Sequence, residues 1–207
     1  MELKILQHGA EALIILDEDT VIKKRIKKSY RLPQIDEEIR KLRTRSEAKL
    51  LLKASKVIDV PEIKNVNEEC NEICMELLRG KRLSEHLDSF QLNEQKEICR
   101  VIGKNIARLH DSDIIHGDLT TSNMILFENK EMKVFFIDFG LGFSSHKVED
   151  KAVDLHLLRQ ALEAKHFRNW KSLFEEVVRG YEESKNHESV LEQFKKVEKR
   201  GRYKENY

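Results

Sequence analysis

His116-Gly117-Asp118-Leu119-Thr120-Thr121-Ser122-Asn123, with Asp138-Phe139-Gly140 beginning fifteen residues after Asn123, sets the expectation for the whole chain. The first stretch places an Asp five residues before an Asn, and the second adds another Asp. A lone Asp-Phe-Gly recurs by chance, but both stretches in this order and at this distance form a specific signal. The intervening Met124–Ile137 reads as two short strands around the turn Glu128-Asn129-Lys130. Such a hairpin brings Asn123 and Asp138 into one site.

The residue types match phosphoryl transfer of the kinase kind. ATP carries clustered negative charge, which Mg²⁺ neutralises, and Mg²⁺ prefers hard oxygen ligands. Asp138 and Asn123 supply such oxygens and are the predicted metal ligands. Asp118 is the predicted catalytic Asp, orienting a hydroxyl or water and accepting its proton late in transfer.

The chain has 207 residues, 40% hydrophobic and 36% charged, with a formal net charge of +1. That length accommodates one large domain or two small lobes. The balanced charge provides no global field to select a polyanion. Neither a signal-peptide pattern nor an apolar run long enough for a bilayer is evident. Three cysteines suggest free thiols in a reducing compartment, so the expected location is cytoplasmic. Cys70 and Cys74 lack a second Cys or His pair for zinc and are expected in core packing.

Periodicity divides the chain into a strand-rich first part and a helix-rich second part. Leu3–Gln7, Ala12–Leu16 and Val21–Ile26 read as strands, the last two joined at Asp17-Glu18-Asp19. Gln34–Ser55 reads as a helix entered through Pro33, with Ile35, Ile39, Leu42 and Leu50 on its apolar stripe. Val57–Val60, Ile63–Val66 and Glu72–Leu77 read as strands or extended segments. Beyond Leu83, Ile98, Val101, Ile102, Ile106 and Leu109 mark one helix face, with Asn93 its expected N-cap. Val148–Glu163, Arg168–Ser184 and Val190–Lys199 read as further helices. The resulting α+β expectation is one compact bilobal kinase-like domain over 1–207. Its N-lobe is 1–78, its reduced helical C-lobe 79–199 and its basic tail 200–207, with Gly80 a possible hinge.

A kinase-type site also needs a strand lysine paired with a helix glutamate. Lys23 and Glu47 are the candidates; Lys24 points to the other strand face, so a one-residue slip would exchange the lysines. The phosphate-covering loop is Gln7-His8-Gly9-Ala10-Glu11-Ala12, whose one glycine permits a tight turn. Gly9, Ala10, Glu11 and Ala12 are therefore nucleotide-binding candidates. Met75-Glu76-Leu77-Leu78 reads as the inter-lobe strand meeting adenine, which adds Glu76 and Leu78.

These residues together resemble the small atypical serine/threonine kinase of the KEOPS (EKC) tRNA-modification complex, the PRPK family, over nearly the whole chain. The likeness rests on Gly9–Ala12, Lys23-Lys24-Arg25-Ile26-Lys27-Lys28-Ser29-Tyr30-Arg31-Leu32-Pro33, Arg43-Thr44-Arg45-Ser46-Glu47-Ala48, His116–Asn123 and Asp138-Phe139-Gly140-Leu141-Gly142. Arg200-Gly201-Arg202 extends it. The resemblance implies that Lys23 contacts the α/β-phosphates and Glu47 holds it. It implies that Asp118 is catalytic, that Asn123 and Asp138 bind Mg²⁺, and that Asp154 braces the catalytic loop. It further implies an ATPase, with protein-kinase activity, supporting a partner subunit that forms threonylcarbamoyladenosine on tRNA.

Several positions depart from ordinary protein kinases. Gly117 stands where many have Arg, and Thr120 replaces a Lys that helps stabilise the transferring phosphoryl. No Ala-Pro-Glu follows Gly140, so the usual peptide-docking segment is expected to be absent. Ser144 and Ser145 are candidate autophosphorylation sites. Arg200, Arg202 and Lys204 are candidate tRNA-phosphate contacts in the tail. The alternatives are a small-molecule phosphotransferase, a RIO-type kinase and a non-catalytic scaffold pseudokinase.

Overall fold

The computed structural model describes residues 4–128 and 132–202. Asn129 and Lys130 of the expected hairpin turn, and Lys204 of the tail, lie outside the described residues. Among the described residues no helix is long and apolar enough to cross a membrane.

The first half forms a five-stranded antiparallel sheet. β1 (Lys4–His8), β2 (Ala12–Asp17), β3 (Thr20–Arg25), β4 (Ile63–Asn67) and β5 (Glu72–Glu76) take the order β1-β2-β3-β5-β4. β2 and β3 close through a turn at Glu18, which adopts a left-handed φ of 53°. Strand alternation then determines which lysine is inside. Lys23 and Arg25 are buried, while Lys24 faces out and pairs with Glu72 at 2.7 Å.

α1 (Pro33–Ala54) begins at its proline, where the missing N–H costs no helical hydrogen bond. Its expected apolar stripe is corrected. Ile35 and Leu42 are exposed, and the buried positions in the first part of the helix are Asp36 and Thr44. Asp36 accepts hydrogen bonds from Lys28 N–H and the Arg40 guanidinium, so polar partners select that face. Only the second half follows the apolar rule, with Ala48, Leu50, Leu51 and Ala54 buried.

Val57–Val60 is a loop, not a strand. Ile58 and Val60 enter the core from it, and Asp59 C=O accepts from Phe136 N–H at 3.0 Å. Ile58 and Val60 are buried and Val57 and Asp59 half-buried, so the segment alternates like a strand but pairs with none of the described strands. Cys70 is exposed in a turn and Cys74 only half-buried, so neither packs in the core as expected. Cys99 does, and burial raises its thiol pKa to about 12.

The second half opens with β6 (Lys81–Arg82), α2 (Leu83–His86) and a 3-10 turn at Leu87–Ser89. Gly80, the expected hinge, is explained by packing. A Cβ there would lie 2.5 Å from Leu126 C=O and 2.7 Å from the Ile125 side chain. α3 (Leu92–Asp111) carries the expected face of Ile98, Ile102, Ile106 and Leu109. Its N-cap is Gln91 rather than Asn93, because Glu94 accepts from Gln91 N–H at 2.9 Å.

β7 (Ile114–Ile115) leads into the catalytic-loop segment, and a 3-10 turn, Thr121–Asn123, leads out of it. The hairpin β8 (Met124–Glu128) and β9 (Met132–Phe136) follows as expected. β10 (Phe143–Ser144) pairs with β7 and passes within four residues into α4 (Val148–Lys165). This short passage leaves no room for an extended peptide-docking segment between them.

α5 (Trp170–Tyr181) crosses α3 closely, and α6 (His187–Arg202) lies on α4. Added Cβ atoms at Gly103 and Gly180 would lie 2.0 and 2.1 Å from facing backbone oxygens, so this crossing calls for glycine at both positions. One hydrophobic core continues from Leu50, Leu51 and Ala54 of α1 through α3 and the hairpin to α4 and α5.

Candidate active site

A cleft of about 590 Å³ lies between the sheet and the helical half. It is lined by Gly9–Ala12, Lys23, Glu47, Glu76, Leu78, Asp118, Asn123 and Asp138. The structure therefore brings together the entire set expected from the sequence, apart from the tail cations.

Lys23 is the centre of the buried charge network. Its ammonium donates to Glu47 Oε1 at 2.6 Å and to Asp138 Oδ1 at 2.7 Å. Burial acts to lower the Lys23 pKa, but the Glu47 and Asp138 carboxylates outweigh it and the net shift is upward. For Asp138, burial acts to raise the pKa, and the Lys23 ammonium reverses the sign. Both groups are therefore ionised at neutral pH.

Asp138 has a left-handed φ of 62°, and its Oδ1 also accepts from Gly140 N–H at 3.2 Å. Its Oδ2 has no hydrogen-bond partner among the described residues. Asn123 donates from Nδ2 to the Asp118 carboxylate and to Asp118 C=O, each at 2.9 Å, which leaves Asn123 Oδ1 free to coordinate. Ile137 N–H donates to Asn123 C=O at 3.0 Å and locks the two segments together. Two hard oxygens beside a cleft suit Mg²⁺, which usually takes one or two such protein ligands and fills its sphere with substrate phosphate and water.

The catalytic loop is braced from below. Asp154 of α4 is wholly buried and accepts from His116 N–H and Gly117 N–H, each at 2.9 Å, while His110 Nε2 lies 3.2 Å away. His116 reaches Ile137 C=O at 3.1 Å and packs against Phe139. Gly117 has φ 78°, and a Cβ there would sit 2.3 Å from Leu141 C=O. The absent Arg thus has a local cause: this backbone has no room for a side chain.

Sequence reasoning missed Arg25, whose guanidinium donates to Glu47 Oε2 at 2.6 Å. Glu47 is consequently held by two cations, one on each oxygen. The signal was present, since Arg25 is two residues from Lys23 and shares its strand face. Arg25→Met should cost about 1–3 kcal/mol, because it strips a buried carboxylate oxygen of its partner. Lys24→Met, on the exposed face, should cost less than about 1 kcal/mol. Urea denaturation of the two variants checks the difference.

Two further cations hold the loop Gly9–Ala12. Arg43 pairs with Glu11 at 2.8 Å, and the Lys28 ammonium donates to Ala10 C=O. Gly9 N–H closes the turn onto Ala12 C=O at 3.0 Å. Pinning from α1 and from the loop that precedes it stands where a glycine-rich sequence is usual. At the opposite end of the cleft, Glu76 is tied to Glu62 through its backbone N–H at 2.9 Å. Leu78 follows beyond the end of β5 and makes no backbone hydrogen bond among the described residues.

Of the tail candidates, Arg200 lies apart from the cleft. It belongs to α6 and pairs with Glu149 of α4 at 2.6 Å, so it is part of a docked helix rather than a free tail. Of the candidate phosphorylation sites, Ser144 is an exposed residue of β10. Ser145 Oγ donates to Asp150 at 2.6 Å.

Sheet, helical half and intervening charged cleft define the chain as a protein kinase, and the protein kinase domain family matches residues 11–160. Over 98% of its length the chain is 41% identical to the KEOPS complex subunit Bud32 of Pyrococcus abyssi, 97% of which it covers. It is 36% identical to a probable serine/threonine-protein kinase BUD32 homolog of Archaeoglobus fulgidus, with 95% of each chain covered. The chain belongs to the Bud32 family of protein kinases.

It is also 43% identical, over 96% of its length, to a probable bifunctional tRNA threonylcarbamoyladenosine biosynthesis protein of Methanobrevibacter smithii. The match spans only 36% of that longer protein. Among solved structures, WaaP in complex with acyl carrier protein gives a TM-score of 0.63 at 12% identity, covering 96% of this chain and 88% of that one. That likeness concerns the fold alone.

Proposed function

We propose that the chain binds Mg-ATP in this cleft and splits it in support of a KEOPS-type complex that forms threonylcarbamoyladenosine on tRNA. The observation that carries this reading is the joined pair of networks, Glu47–Lys23–Asp138 and Asp118–Asn123. A scaffold without catalysis needs neither a buried lysine shared between two carboxylates nor an Asp held by its neighbouring Asn.

Gly9–Ala12 cover the phosphates, and the backbone at Glu76 and Leu78 borders the adenine. Lys23 contacts the α/β-phosphates while Glu47, anchored by Arg25, holds it in place. Asn123 Oδ1 and Asp138 Oδ2 hold Mg²⁺, which when bound neutralises phosphate charge. Asp118 orients the attacking oxygen and takes its proton late. Thr120 offers no cation; Lys23, Arg25 and Arg43 line the cleft, each paired with a carboxylate. The lobes are 1–78 and 79–199. Action in the cytoplasm accords with three free cysteines among the described residues.

The short passage from β10 to α4 favours hydrolysis over transfer to a bound peptide. ATP turnover by the purified chain, alone and with the tRNA-modifying partner, tests this. Phosphate release that rises with the partner, without phosphopeptide formation, is expected. Absence of release in both conditions would remove the reading.

The partners proposed are the other KEOPS subunits, and tRNA through the complex and residues 200–207. Deleting 200–207 should weaken tRNA binding by the assembled complex. The slope of log affinity against log salt should fall by about one for each tail cation that neutralises a phosphate. An unchanged affinity across the salt series would exclude the tail.

A further inference from the structure

Beneath the catalytic loop lies a hydrogen-bonded chain that the site described above does not use. Thr121 Oγ1 lies 3.0 Å from His166 Nε2, and His166 Nδ1 lies 2.9 Å from Asp88 Oδ1. Thr121 and His166 are each 1% exposed, whereas the Asp88 side chain is largely open to solvent. The three come from separate parts of the fold: the Thr121–Asn123 turn, the C-terminal end of α4 and the 3-10 turn after α2.

An ionised Asp88 can only accept, so His166 Nδ1 carries a proton and donates to it. The ring is thereby fixed in orientation with Nε2 aimed at the Thr121 hydroxyl. The order hydroxyl, imidazole, carboxylate is that of an activated nucleophile. Thr121 is nevertheless sealed from solvent, so no substrate can reach its oxygen. What the chain controls is the position of the turn that ends in Asn123. That turn is otherwise held by the bond from Asn123 N–H to Thr120 C=O, at 3.0 Å, by the two bonds from Asn123 Nδ2 to Asp118 and by the hairpin that follows.

We infer that Asp88, His166 and Thr121 form a positioning staple that sets the Asn123 side chain for the metal and for Asp118. The inference rests on the metal-ligand role proposed for Asn123. Residues that orient a metal ligand through hydrogen bonds alter affinity without touching the ion.

The test uses the whole chain with Thr121→Val, which removes the hydroxyl at nearly constant volume, and Thr121→Ser, which keeps it. Mg²⁺ is titrated calorimetrically into each protein saturated with a non-hydrolysable ATP analogue. Thr121→Val should weaken Mg²⁺ binding by about tenfold, and Thr121→Ser should restore it to within about threefold of wild type. Amide hydrogen exchange over residues 118–124 gives a readout independent of metal. It should quicken in Thr121→Val and not in Thr121→Ser.

Wild-type metal affinity in Thr121→Val, even in a less stable protein, would overturn the inference. Equal impairment of both variants would do the same. If the wild type itself bound no Mg²⁺, the proposed metal role of Asn123 would fall. Hydrogen exchange would then decide alone whether the staple positions the turn, and unchanged exchange in Thr121→Val would refute it.

Discussion

Replacing Asp118 by Ala should reduce ATP turnover by about 10²–10⁴-fold, the usual contribution of a positioned general base. Asp118 is half-buried at the floor of the cleft, and its carboxylate receives one bond from Asn123 Nδ2 at 2.9 Å. Its removal leaves that amide facing the cleft, where water can satisfy it, so the melting temperature should move by no more than about 3 °C. Loss of turnover without loss of stability would separate a chemical role from a structural one. Equal turnover in variant and wild type would sink the catalytic reading. Asn123→Asp is a useful companion, because it keeps an oxygen for the metal while replacing the donor to Asp118 with a second negative charge.

Asp154→Ala should have the largest effect on stability. The Asp154 carboxylate is wholly buried and satisfies two backbone N–H groups of the catalytic loop, with His110 beside it. Truncation leaves those buried donors without a partner at about 1–3 kcal/mol each, for a total on the order of 3–5 kcal/mol. In a domain of this size that corresponds to a fall in melting temperature of roughly 6–20 °C. Activity should fall as well, although Asp154 faces away from the cleft, because the segment from His116 to Asp118 loses its anchor. Thermal unfolding monitored by circular dichroism checks the first claim. A shift below about 3 °C would show that the loop holds itself without Asp154.

The parts of the site that were legible are those determined by neighbours in the chain. Asp118, Asn123 and Asp138 lie within one hairpin and its flanks, so their spacing already implies their proximity. Lys23 was separable from Lys24 because strand alternation sends the two to opposite faces. The failures had equally specific causes. Ile35 and Leu42 follow helical spacing yet stay exposed, since the Asp36 network claims the buried face of α1. Ile58 and Val60 are buried without belonging to a strand, because this stretch joins the core as an irregular loop. Gly80 is small because the β8 backbone passes beside it, a contact that no local spacing reveals.

From the sequence alone came the kinase class, the hairpin bearing the acidic centre and the residues that meet in the cleft, since each depends on residue type and short-range spacing. The tertiary structure decided what holds that set in place. Arg25 on the second oxygen of Glu47, Asp154 under His116 and Gly117, and the chain from Asp88 through His166 to Thr121 all join distant segments. A hydrogen bond between residues far apart in sequence leaves no periodic trace, and its existence depends on how helices and sheet pack together.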